Sequence, residues 1–116
     1  MPNFCQPFDV MHAGRKMSNE EIVRGLRFMV AAEYEAIQLY MQMAESIDNV
    51  MIQNALREIA NDERVHAGCF LRLLRAVDPE EQSYYENGAK EMEEKFISKA
   101  SADDLGIVKD STSIPE

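Results

Sequence analysis

"SIDNV", Ser46–Val50, interrupts two long helical patterns, and Asp48 or Asn49 within it can close one helix, make the turn and cap the next. Reading back from it, apolar positions recur at Ile47, Ala44, Tyr40, Ile37, Glu33, Val30, Leu26 and Val23, alternately three and four apart, with one acid among them. Reading forward, the series is Ile52, Leu56, Ile59, Glu63, His66, Phe70, Leu73 and Val77 with the same alternation. A period of 3.5 residues is that of a packed helical face. The spacing predicts two helices folded back on each other about Asp48.

The ends of this hairpin are marked as well. Ser18-Asn19-Glu20-Glu21 is a capping box, in which the serine hydroxyl and the glutamate carboxylate can each satisfy a free backbone N–H. Asp78-Pro79-Glu80-Glu81 ends the second helix and starts a third, with Pro79 at a first helical position. Residues 79–99 read as helical but less amphipathic, with Asn87-Gly88 a candidate break. Strand signals are absent. The expected organisation is all-α: an irregular N-terminus over 1–17, an antiparallel two-helix hairpin with a third helix over 18–100, and a flexible tail over 101–116, where Asp, Ser, Gly and Pro take over.

A chain of 116 residues is the size of one domain, and much of its 46% hydrophobic content falls between Ile22 and Val77. So short a core buries little by itself, and association or a metal is expected to supplement it. The net charge of −9 disfavours nucleic acid, whose phosphates require excess Lys and Arg. No apolar run reaches the length of a membrane span, and residues 1–17 contain no signal-peptide core, which points to the cytoplasm. Cys5 and Cys69 suggest no disulfide framework.

Glu33, Glu63 and His66 are the only titratable acids or imidazoles in the two seams. Ionised carboxylates are rarely buried without a partner, because desolvation costs several kcal/mol. Glu33 and Glu63 each lie 15 residues from Asp48, roughly 22 Å along their helices at 1.5 Å per residue, and so share one level of the hairpin. His66 follows Glu63 by one turn. Two facing carboxylates beside an imidazole would be relieved by a cation. The competing reading is a surface salt-bridge arrangement served by Arg57, Arg64 and Arg72.

One hairpin leaves one seam uncovered. The simplest cover is a second copy about a two-fold axis, giving a four-helix bundle. Symmetry then supplies Glu33, Glu63 and His66 twice, four carboxylates and two imidazoles, which is the donor set of the di-iron carboxylate bundles. Such oxygen-rich ligation suits iron or manganese; zinc more often takes four sulfur or nitrogen donors.

"AAEYEAIQLYMQMA", Ala31–Ala44, and "NDERVHAG", Asn61–Gly68, together resemble the encapsulated ferritins, short ferritin-like proteins carried inside encapsulin shells. The resemblance covers roughly residues 18–78. It implies a hairpin that dimerises into a four-helix bundle, a ring of such dimers, and ferroxidase chemistry on two irons between subunits. It matches the iron ligands to Glu33, Glu63 and His66, and a tyrosine near the centre to Tyr40. Ala32 and Leu39 stand where the family often has an acid and an aromatic, so of its cation-access site only Glu35 remains, with Tyr34 beside it. Glu35 reads equally as a solvated charge.

The tail sequence "DDLGIVKDS", Asp103–Ser111, resembles encapsulin cargo-loading peptides, which implies docking on the shell through Leu105, Ile107 and Val108. Met29, Met41, Met43 and Met51 read as adaptable packing and Cys69 as a small buried hydrophobe rather than a ligand, and His12 is assigned nothing. Two other functions are compatible with the same ligands. One is a rubrerythrin-like peroxide reductase or manganese catalase; the other is a metal that only clamps a dimer.

Overall fold

In a computed structural model that describes residues 14–106, the chain is built from helices. Helix α1 spans Asn19–Glu45, α2 Val50–Val77 and α3 Glu80–Lys95, followed by a short 3-10 turn at Ile97–Lys99. No strand occurs among the described residues. They fall into two compact units, one ending at Pro79 and the other beginning at Glu80, whereas the sequence pattern groups the hairpin and third helix together over 18–100.

The capping box at the start of α1 is formed. The Glu21 N–H donates to the Ser18 hydroxyl at 3.3 Å, and the Ser18 N–H donates to the Glu21 carboxylate at 3.0 Å. Arg15 adds a charge-assisted bond of 2.6 Å to the same carboxylate oxygen. At the turn, Asn49 rather than Asp48 is the cap, accepting from the Ile52 N–H at 3.0 Å. The Gln53 amide donates to the Ala44 and Ile47 carbonyls at 3.1 and 2.5 Å, so the open end of α1 is satisfied by the first turn of α2.

The hairpin core is a seven-residue repeat on both helices. Val30, Ile37 and Ala44 of α1 are buried, as are Ala60, Ala67 and Leu74 of α2. Burying Leu74 contributes about 1.5–3 kcal/mol. The first seam is therefore as the spacing predicts; in the second, Leu56, Glu63 and Phe70 are partly buried as predicted, but the alternate positions are displaced by one residue. Ile52, Ile59, His66 and Leu73 flank the contact and are exposed, while the neighbouring alanines make it. Small side chains allow the two backbones to approach, since interaxial distance follows the residues at the contact. A search for large apolar residues passes over them.

In the second unit, α3 runs through Asn87-Gly88 without a break, although glycine costs about 1 kcal/mol against alanine in a helix. Exposed Lys95–Glu91 and Lys90–Glu94 pairs, each four residues apart, offset little of that. The Tyr85 hydroxyl donates to Glu81, which is buried near the start of the helix. No helix among the described residues is long and apolar enough to cross a membrane.

The Glu21 cluster makes the hairpin sensitive to acid. Its bond from Arg15, supported by the Ser18 N–H, lowers the Glu21 carboxyl from 4.5 to about 2. A depressed carboxyl stabilises the fold fully above its unfolded value, and that contribution is lost as pH falls from 4.5 towards 2. Glu21→Gln keeps a cap acceptor but removes the titration. Thermal melts followed by circular dichroism across that interval should show a steeper loss of stability in the parent than in the variant.

Candidate metal centre

Glu33 comes from the middle of α1, and Glu63 and His66 from the middle of α2. The equal distances from the turn bring them together as the sequence predicts: one donor atom from each lies within 4.8 Å of the others. His66 Nδ1 is 3.4 Å from a Glu63 oxygen and 3.9 Å from a Glu33 oxygen. The two carboxylate side chains are 16% and 18% exposed, whereas that of His66 is 56% exposed. The imidazole thus stands at the margin of the hairpin rather than inside it.

This donor set fits a divalent cation. Among the described residues neither carboxylate has a lysine or arginine partner, and His66 is the only basic group against them. The salt-bridge alternative involving Arg57, Arg64 and Arg72 is not formed at this cluster. Oxygen donors outnumber nitrogen, and no cysteine belongs to the group, which favours iron or manganese over a sulfur-ligated metal. Three donors leave a coordination shell of six half filled.

His66 also belongs to an exposed apolar edge of the hairpin. His66 falls in one seven-residue series with Ile52, Ile59 and Leu73, which are 36%, 44% and 52% exposed. Helical geometry puts all four on one stripe. The sequence pattern contained this stripe but assigned it to the hairpin's own contact. Alanines at 60 and 67, also seven apart, were the signal for the true register.

Other candidate residues are not drawn into the cluster. Glu35 is exposed on α1, two positions past Glu33 and so on a different helical face. Tyr34 is 53% exposed. Tyr40 is partly buried, seven residues from Glu33 on the same face, and no hydrogen bond links it to the three ligands. Cys69 is a free thiol outside the group, and it is exposed rather than buried as the sequence suggests, since it lies one helical turn past the exposed His66. Leu105 is 47% exposed in the second unit, while Cys5, His12, Ile107 and Val108 lie outside the described residues.

Comparison with known proteins gives a consistent set of likenesses. Residues 26–107 match the family model described as Rubrerythrin. The chain is 35% identical over 82 residues to the encapsulin nanocompartment cargo protein EncC of Myxococcus xanthus, covering 71% of this chain and 60% of that protein. It is 32% identical over 85 residues to the ferritin-like–encapsulin shell fusion protein of Pyrococcus furiosus, covering 73% of this chain and 25% of the fusion. This chain thus spans less than two thirds of either protein. The crystal structure of the encapsulated ferritin domain from Pyrococcus furiosus superposes with a TM-score of 0.71 at 29% identity, over 82% of this chain and 96% of that one.

The crowding of Glu33 and Glu63 has a measurable consequence. In metal-free protein held with a chelator, Glu33→Ala should melt at or above the temperature of the parent, because it removes a desolvated like charge. Anaerobic Fe²⁺ should then raise the melting temperature of the parent and not that of the variant, as differential scanning calorimetry would show.

Proposed function

The chain belongs to the rubrerythrin family of ferritin-like proteins, and we propose that it is a ferroxidase whose di-iron site is completed by a second copy of itself, working as cargo inside an encapsulin shell. The observation that carries this reading is the three-donor cluster, one member of which, His66, stands on an exposed apolar stripe. A two-fold partner covering Ile52, Ile59 and Leu73 would bring its own Glu33, Glu63 and His66 to the same level. The resulting bundle would bind two irons, and rings of such dimers would follow the pattern that the sequence resemblance implies.

Iron is the substrate here. Two Fe²⁺, one dioxygen and two protons give two Fe³⁺ and one hydrogen peroxide, so each iron loses one electron. Glu33 and Glu63 bring anionic oxygens, which favour the more highly charged Fe³⁺ over Fe²⁺ and so favour electron loss. His66 supplies a neutral nitrogen donor and, at the rim, joins the two functions of the stripe. Tyr40 would be enclosed near the bundle centre when the second copy docks. Glu35, outside the cluster, is assigned at most to cation access. The product Fe³⁺ would leave for mineralisation in the shell.

The names of the relatives support the compartment: one is a cargo protein and another a fusion to a shell. We assign shell docking to the tail at Leu105, Ile107 and Val108. The family match also favours a second reading, in which peroxide is the oxidant in place of dioxygen. Comparing turnover with the two oxidants on the same metal-loaded protein separates them.

Activity and association should fail together. Glu33→Ala, Glu63→Ala and His66→Ala each remove two ligands per dimeric site, and each should lower Fe²⁺ oxidation by more than about tenfold, beyond the usual cost of losing a supporting residue. Glu35→Ala should lose less. In analytical ultracentrifugation, Fe²⁺ should shift the parent to dimers or larger species. Ile59→Asp should stay monomeric and inactive with its helical content intact, since Ile59 is not part of the hairpin's own core. An active Ile59→Asp monomer would exclude the shared site.

A further inference from the structure

The segment Ser101–Gly106 has more order than a free peptide. The Ser101 N–H donates to the Asp104 carboxylate at 2.8 Å, and the Asp104 N–H donates to the Ser101 hydroxyl at 3.1 Å. This is a second reciprocal capping box, on the sequence Ser-Ala-Asp-Asp. Behind it the Leu105 N–H donates to the Ser101 carbonyl at 3.3 Å, and the Gly106 N–H to the Asp103 carbonyl at 3.1 Å. Gly106 has a φ of +66°, the left-handed conformation that ends a helical turn and that glycine adopts without strain. The Ser101 bonds hold the Asp104 carboxyl below its usual range, in keeping with the same geometry. Leu105 sits on this turn at the rim of a hollow of about 350 Å³, together with Phe96, Ile97 and Ala100, and with Lys95 and Lys99 at its edge.

These six residues overlap the start of the segment assigned above to shell docking. A peptide that docks in extended form uses its backbone N–H groups on the partner. In the turn, the N–H groups of Leu105 and Gly106 are already donated within the chain, while the leucine side chain stays 47% exposed. We propose that Ser101–Gly106 is a latch: the capped turn withholds the backbone N–H groups of Leu105 and Gly106 in the free protein, and shell docking requires the turn to open. The inference rests on the reading of the tail as the docking segment. Apparent affinity for the shell then scales with the fraction of open turns.

The latch can be moved in both directions without touching Leu105. Ser101→Ala removes the cap hydroxyl at constant charge and should favour opening by about 2- to 30-fold. Ala102→Pro presets the first helical position, where the N–H makes no bond in the turn, and should favour closure by about two- to fivefold. The readouts are amide hydrogen exchange at Leu105 and Gly106 in the free full-length protein, and the amount of each variant captured in direct competition with the parent. Capture is measured on co-expression with the encapsulin shell protein of the same organism. We expect faster exchange and greater capture for Ser101→Ala, and slower exchange and smaller capture for Ala102→Pro. Capture that is unchanged, or that moves the opposite way while exchange responds as expected, overturns the latch and leaves the docking reading intact. Equal capture of parent and Leu105→Asp overturns the docking reading itself, and the latch with it.

Discussion

Two carboxylates face each other across the hairpin, Glu33 and Glu63, and among the described residues only the imidazole of His66 stands against them. Everything distinctive about the molecule follows from holding like charges at one level of a helical pair. Desolvation and mutual repulsion both oppose it, and an isolated hairpin has no apolar core to spare for the purpose. The arrangement makes physical sense as a site that a cation completes. It also explains why the local packing is made of alanines: Ala60 and Ala67 bring the helices close while Glu63, between them, is kept at the contact.

In the proposed assembly the same geometry joins association to metal binding. His66 is both a donor to the cluster and a member of the exposed series Ile52, Ile59 and Leu73. Covering that stripe with a second copy would bury apolar surface and bring a second imidazole and two further carboxylates into place. In that assembly neither step would be complete alone. A ligand bound only by the associated form stabilises that form by mass action, so iron would act as substrate and as a determinant of assembly. The distance between the cluster in α1–α2 and the tail turn after α3, counted along the chain, also separates the proposed chemistry from the proposed docking segment. Each can then be altered without the other.

Much of this was legible in the sequence, because hairpins have simple arithmetic. The turn at Ser46–Val50, the alternating three-four spacing and the equal offsets of Glu33 and Glu63 place the ligands without reference to any fold. The capping boxes are local chemistry, and the one at Ser18 was read directly. The register of α2 was not, since periodicity gives a stripe but not which edge of it meets the neighbour, and large apolar residues at 52, 59 and 73 drew the assignment away from the alanines. The contact of Arg15 with Glu21 was missed because it lies outside the helical pattern. The Ser101–Asp104 turn was hidden by its composition, which is that of a flexible segment although two side chains cap it.

The central claim is that one metal centre is built by two chains. A crystal structure of the protein loaded with iron, with anomalous scattering used to locate the metal, tests it most directly. The account predicts two irons between a pair of two-fold-related copies, each copy contributing Glu33, Glu63 and His66. Iron held by the three residues of a single chain, with no ligand from a neighbouring copy, would contradict it.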